Sequence, residues 1–102
     1  MTSDTQNGTQ EMDEAVVQDS MQIILHAGNA RTIACKALEF AASGNTSKAR
    51  ELVDEAHEEL LRAHHIHTNR IQLEAAGNSQ EYTLLFAHAQ DTLMTITSEI
   101  TL

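Results

Sequence analysis

The sequence predicts an all-α protein, an antiparallel bundle of three helices, from three observations. The 102-residue chain contains no Pro, only four Gly and 3% aromatic residues, whereas Ala, the strongest helix former, is frequent. Apolar residues recur three and four positions apart over three long segments. Two short breaks, each with one Gly, separate these segments. A chain of this length buries one modest core, so we expect a single domain.

The first helix is predicted over residues 12–43. Residues 1–11 are almost entirely polar, and we expect them to form a disordered N-terminal tail. Acidic residues then precede a helical pattern, which suits the positive end of a helix dipole. The apolar face of this helix comprises Val16, Ile23, Ile24, Ala27, Ala34, Leu38 and Ala41.

A short break joins the first helix to the second. Gly44 is a good left-handed C-terminal cap, and Asn45 or Thr46 is a good N-cap for the next helix. Because the connection is short, the two helices should lie antiparallel. The second helix is predicted over 46–76, with a dense acidic outer side. Its apolar side comprises Leu52, Val53, Ala56, Leu60, Ala63, Ile66 and Ile71.

A second break at 77–79 precedes the third helix, which is predicted over 82–102. At about 30 Å it is shorter than its neighbours, whose ends then need cover. Ala residues contribute little apolar area, so we expect the slender unit to self-associate. The core face of the third helix comprises Leu85, Ala89, Leu93, Ile96 and Ile100.

Charge and cysteine content exclude several classes of function. Six basic and fifteen acidic residues give a formal net charge of −9, which disfavours nucleic acid and favours a basic protein partner. The single cysteine, Cys35, excludes an intramolecular disulfide, and we expect a small buried apolar residue there. Neither a secretion leader nor a membrane-spanning apolar run is present, so we predict a cytoplasmic protein. Glycine-rich phosphate loops and zinc-finger Cys pairs are also absent.

Three histidines, His64, His65 and His67, cluster on the second helix. His64 and His67 lie one turn apart, but a zinc site needs three or four converging ligands and a supporting second shell. We therefore expect His65 and His67 to be partly buried and hydrogen-bonded to neighbouring residues. A metal-binding bundle centred on His64 and His67 remains an alternative.

His88 and Asp91 lie three positions apart on the third helix and share a face. We expect the apolar neighbours Leu84, Leu85 and Phe86 to desolvate the His88 ring in part, which favours the neutral, nucleophilic form. A neutral ring nitrogen can accept a phosphoryl group. Asp91 either orients the ring or lies at a symmetry axis, where like charges need protons or a shared cation. From the residues alone, a packed histidine in a non-catalytic helical adaptor is the stronger interpretation.

Three blocks of sequence point to a known family. They are Ala27-Gly28-Asn29-Ala30-Arg31, then Ala63-His64 with Thr68, Ile71-Gln72 and Glu74-Ala75, and finally His88-Ala89-Gln90-Asp91 with Leu93-Met94-Thr95. In these blocks and their spacing, the chain resembles the lactose/cellobiose (N,N'-diacetylchitobiose) type enzyme IIA of the bacterial phosphoenolpyruvate-dependent sugar phosphotransferase system. The resemblance extends from about Val16 to Thr97.

The resemblance implies a homotrimer of three-helix units, with residues 12–102 as the enzyme IIA domain. It implies a phosphotransferase component in which His88 is phosphorylated on Nε2 by the phosphocarrier protein HPr. The group then passes to a cysteine of enzyme IIB during uptake of a lactose-, cellobiose- or chitobiose-type disaccharide. The resemblance places Asp91 near the threefold axis, where three copies can ligate one structural Mg²⁺ per trimer.

The chain departs from the usual family pattern at two positions and in its length. The family usually has a histidine where Thr92 stands and a glutamine where His67 stands, so we expect local hydrogen bonding to differ. The third helix of the family usually continues well beyond the position of Leu102. We therefore expect a less stable trimer.

Overall fold

The computed structural model describes the backbone of residues 2–76 and 84–101, and the side chains of 14–76 and 84–100. It contains three α-helices: α1, Thr2–Ala42; α2, Thr46–Ala75; and α3, Leu84–Thr101. The described residues include no β-strand. These elements confirm the predicted all-α class and the three helices. None of the described helices combines the length and apolarity that a bilayer crossing requires.

The helix bounds agree with the predictions most closely for α2, which begins at the predicted residue and ends one residue early. The structure continues α1 to Thr2, through the segment predicted to be a tail. Side chains before Glu14 are not described, so the domain boundary at residue 12 stays a prediction. The second break at 77–79, Tyr82 and Leu102 lie outside the described residues.

Gly44 ends α1 with the predicted left-handed conformation. Its φ is +88°, which glycine adopts without the strain that a Cβ atom would introduce. The amide of Asn45 donates to the carbonyl of Phe40 at 2.9 Å, and the amide of Gly44 donates to that of Ala41 at 3.1 Å, as in a Schellman cap. The Asn45 side chain then accepts from the amide of Lys48 at 3.2 Å and caps α2. Both capping predictions are confirmed.

α1 is the central helix, because it packs along both α2 and α3, whereas α2 and α3 approach each other least. Small side chains at the interfaces with α1 let the helices approach closely. The buried alanines are Ala27, Ala30, Ala37, Ala49, Ala56, Ala63 and Ala89. Larger side chains fill the remaining core, among them Val16, Ile23, Leu60, Phe86, Leu93 and Ile96.

Several residues predicted to be buried are exposed. Leu38 is 71% exposed, and Val53 and Ile71 are also exposed. Cys35 is exposed, so the prediction of a buried cysteine is wrong. Cys35, Leu38, Ala41 and Val53 line a groove of about 350 Å³ between α1 and α2, beside the C-terminal end of α3. Helical periodicity predicts which face is apolar, but it does not predict where the covering helix lies.

Among the described side chains, two polar links join α1 to α2. The buried Arg70 donates to Asp19 Oδ2 through Nε at 2.9 Å and through Nη2 at 2.7 Å. Glu59 Oε2 accepts from Nδ1 of His26 at 2.6 Å, and Glu59 Oε1 accepts from Arg62 at 2.6 Å. The hydrogen bond from His26 is the main cause that lowers the pKa of Glu59 below its ordinary value near 4.5.

The Glu59→Gln substitution should destabilise the fold in a pH-dependent way. The pKa of Glu59 is lowered in the folded state, so its ionised form stabilises the fold at pH values above its ordinary pKa near 4.5. That contribution is lost as the pH falls through the folded-state pKa. At pH 7 we expect a loss of about 1 kcal/mol, modest because the pair is partly solvated, or about 4–8 °C in Tm. Thermal unfolding, monitored by circular dichroism, measures this change in Tm.

The matched control for this experiment is Glu58→Gln, since Glu58 is exposed on the same helix. This variant should unfold with the wild type at pH 7, and the deficit of Glu59→Gln should shrink as the pH is lowered below 4.5. Equal Tm values for the two variants at pH 7 would show that the His26 to Glu59 link does not stabilise the fold.

Candidate functional site

The inner face of α3 follows the stripe predicted from the sequence. Ala89, Leu93 and Ile96 are fully buried, and Leu85 and Ile100 are partly buried. These positions recur three and four residues apart, so they occupy one side of the helix. Their burial against the core fixes which side of α3 faces outward.

His88 and Asp91 lie on the outer face of α3, and both are exposed. With Ala87, Gln90 and Met94 they line an open depression of about 390 Å³. The structure therefore brings together the two residues that the sequence singled out on this helix. The depression combines an imidazole and a carboxylate with the apolar Met94, in a position that a second protein can reach.

Within the chain, the ring of His88 lacks the apolar surroundings predicted from Leu84, Leu85 and Phe86. Phe86 is 0% exposed and lies in the core, whereas Leu84 is 90% exposed. Residues two positions apart on a helix point about 200° apart, so Phe86 cannot cover the ring of His88. The prediction that neighbouring residues desolvate this ring is therefore wrong for the single chain.

The three clustered histidines of α2 have different environments. His64 Nε2 lies 3.1 Å from Thr97 Oγ1. The pKa of His64 is lowered, mainly because the ring is partly buried and to a lesser extent because of the neighbouring histidines. The ring of His67 stacks on Phe86, with centroids 5.6 Å apart and an angle of 5° between the planes. His65 is exposed, so the prediction of partial burial is wrong for it.

His67 is buried as predicted, but it is not hydrogen-bonded as predicted. Its Nε2 atom has no hydrogen-bond partner within the part of the chain that the structure describes. His64 and His67 contact different residues of α3. No group of three or more His, Cys, Asp or Glu that would suit a metal ion occurs among residues 14–76 and 84–100. The alternative of a metal site centred on His64 and His67 therefore finds no third ligand in that part of the chain.

Sequence reasoning missed the pairing of Arg70 with Asp19 and of His67 with Phe86. Helical periodicity carries no information about which residues of two different helices meet. One signal was available: His67 and Arg70 continue the alternating spacing of four and three that is set by the buried residues Ala56, Leu60 and Ala63. Polar residues on a buried stripe imply partners in the core.

The chain matches the family model described as the PTS system, Lactose/Cellobiose specific IIA subunit, over residues 18–102. It is 49% identical over 83 residues to the lichenan-specific phosphotransferase enzyme IIA component of Bacillus subtilis (strain 168), covering 81% of this chain and 76% of that protein. It is 38% identical over 82 residues to the PTS system lactose-specific EIIA component of Lacticaseibacillus casei, covering 80% of this chain and 73% of that protein.

The fold is also similar to that of a solved structure. The crystal structure of the PTS cellobiose-specific enzyme IIA from Bacillus anthracis has a TM-score of 0.77 and 42% sequence identity, and the match covers 82% of this chain and 77% of that chain. The matched family model includes all of α2 and α3, with the outer face that carries His88 and Asp91. The chain therefore belongs to the lactose/cellobiose-specific IIA subunit family of the phosphotransferase system, a family of phosphotransferase components.

Proposed function

We propose that this chain is a cytoplasmic phosphocarrier that accepts a phosphoryl group from phospho-HPr on His88. It passes the group to the cysteine of enzyme IIB, for uptake and phosphorylation of a lactose-, cellobiose- or chitobiose-type disaccharide. Membership of the family supports two parts of this proposal: the chain works in a phosphotransferase system, and it is the IIA component of that system. The observation that carries the assignment to His88 is its exposed position in the open depression on α3.

The environments of the other five histidines support the choice of His88. His26 contacts Glu59, His64 contacts Thr97, and His67 is buried in the core. Each of these rings already participates in the packing of two helices. The remaining two histidines are exposed on α2. His88 differs from them in lining a depression together with a carboxylate, where a partner can approach a defined surface.

The transfer exchanges one phosphorus–nitrogen bond for another. The lone pair of neutral His88 Nε2 attacks the phosphorus, while the bond to the phosphohistidine nitrogen of HPr breaks and leaves its electron pair on that nitrogen. Nδ1 of His88 then carries the ring proton. In the second step the enzyme IIB thiolate attacks the phosphorus and the bond to Nε2 breaks. Phosphoryl transfer needs alignment of donor and acceptor more than covalent assistance, so an exposed, firmly oriented ring suits both steps.

The surface around the depression suits transient contacts with two protein partners. Leu84 and Met94 expose apolar side chains on α3. Phe86 is buried and does not contribute to this surface. The outer side of α2 is acidic, and we propose that it meets a basic rim on HPr. Charge complementarity of this kind favours fast encounter over tight binding.

We also propose a homotrimer with one Mg²⁺ at its axis. Val17, Met21 and Leu25 are exposed apolar residues spaced four apart along α1, a stripe that would be covered by another subunit. The exposed carboxylate of Asp91 offers the oxygen ligand that Mg²⁺ prefers. Three copies of Asp91 would hold the ion, which would neutralise their mutual repulsion and take no part in phosphoryl transfer.

The His88→Ala variant should accept no phosphate. We would incubate the protein with phosphoenolpyruvate, enzyme I and HPr, and measure intact mass. The wild type should gain one acid-labile phosphate, because phosphohistidine hydrolyses in acid, and His65→Ala should gain it equally, since His65 is exposed on a different helix. A non-catalytic adaptor would gain none. Acceptance of phosphate by His88→Ala would refute the assignment.

The Asp91→Asn variant should make association independent of Mg²⁺. Sedimentation velocity of the wild type should give a trimer that weakens when EDTA removes the ion, because three carboxylates then repel one another. The uncharged variant should sediment alike with Mg²⁺ and with EDTA. Asp54→Asn, which changes an exposed carboxylate of α2, should respond to EDTA like the wild type. A wild-type protein that ignores EDTA would count against the ion.

A further inference from the structure

Two histidines of α2 link this helix to α3. α2 and α3 approach each other least of the three helix pairs, and the side chains of His64 and His67 contact α3. His64 reaches Thr97 near the end of α3, at 3.1 Å between Nε2 and Oγ1. His67, one turn further along α2, reaches Phe86 in the first turn of α3. One turn of α2 therefore contacts both ends of α3.

The contact at Phe86 bears on the orientation of His88. The two residues are two positions apart and point about 200° from each other. The rotation of the helix that buries Phe86 is therefore the rotation that directs His88 outward. The His67 and Phe86 rings are nearly parallel, at 5°, with centroids 5.6 Å apart, which is the offset stacking that aromatic rings favour.

A continuous series of contacts leads from α1 to this turn of α3. Arg70, one turn after His67, donates two hydrogen bonds to Asp19 of α1, so the end of α2 is held against the central helix. The adjacent His67 ring then lies against Phe86. The far end of α3 has links of its own, between Thr97 and His64 and between Glu99 and Arg31.

We propose that His67 is a positioning residue for phosphoryl transfer, which acts by stacking on Phe86 and fixing the rotation of the first turn of α3. His67 does not touch the reacting atoms. It determines the direction in which His88 presents Nε2 to the phosphocarrier. The inference rests on the proposed function of His88 and adds to it a residue of a different helix.

The surroundings of His67 Nε2 indicate that this side chain acts by stacking rather than by hydrogen bonding. Nε2 is buried with no hydrogen-bond partner among the described residues, and a buried polar atom without a partner is destabilising. The side chain therefore contributes through its ring. An aromatic hydrocarbon at this position should preserve the contact, whereas an aliphatic side chain without a ring should not. His67→Phe therefore has a different expected effect from His67→Leu and His67→Ala.

The test compares His67→Phe, His67→Leu and His67→Ala in the rate of phosphate acceptance from phospho-HPr. The measurement uses quenched time courses well below each Tm. We expect kcat to fall about tenfold in the Leu and Ala variants, with KM for HPr unchanged, because misorientation affects the transfer rather than the encounter. His67→Phe should stay within about twofold of the wild type, because the stack is retained.

Leu52→Ala is the matched control, since Leu52 is buried on α2 towards the opposite end of the helix. It should lower Tm and leave kcat unchanged, which separates positioning from general loss of stability. If His67→Ala does not fold, His67→Leu, which keeps apolar volume without a ring, carries the comparison with His67→Phe alone. Its fall in kcat of about tenfold is then the expected result.

Three outcomes would overturn the inference. If His67→Phe is as slow as His67→Ala, the ring does not act by stacking. If every His67 variant matches the wild type while His88→Ala accepts nothing, His67 has no positioning role and the proposed function stands. If the wild type itself accepts no phosphate, the proposed function fails and this inference fails with it.

Discussion

Burial of the apolar side of α3 against the central helix is the interaction on which the rest of the structure depends. Phe86, Leu93 and Ile96 are fully buried, and each such side chain contributes about 1.5–3 kcal/mol. Their spacing confines them to one side of the helix, so the opposite side must face outward. His88 and Asp91 lie on that side. A packing constraint that does not involve His88 therefore decides what α3 presents to a partner.

Apolar packing does not fix the position of one helix along the axis of another, and polar contacts add this alignment. The Arg31 to Glu99 pair is exposed and adds little to stability, but it joins specific residues of α1 and α3. The Asp19 to Arg70 pair is largely buried, so breaking it would leave an uncompensated charge. Such contacts favour one axial register between two helices over the adjacent registers. Small residues on α1 allow close approach, and these pairs determine where along the helices it occurs.

The sequence predicted the features that depend on local pattern. The caps at Gly44 and Asn45, the inner stripe of α3 and the shared face of His88 and Asp91 all follow from spacing along one helix. The exposure of Cys35 and the burial of Phe86 beneath His67 could not be predicted in this way, because both depend on how separate helices meet. The predicted desolvation of His88 does not occur because Phe86, two positions away in sequence, points to the opposite side of the helix. The trimer and its ion involve other chains, and they remain proposals.

The discharge of the phosphorylated protein tests the central claim most directly. The chain would be phosphorylated, separated from HPr and enzyme I, and mixed with an enzyme IIB of the lactose/cellobiose type, with the phosphate located by mass spectrometry of both proteins. The account predicts that phosphate leaves His88 and appears on the enzyme IIB cysteine. Phosphate that stays on the chain, or that is lost only to water while enzyme IIB remains unmodified, would contradict the proposal that His88 is a carrier between two proteins.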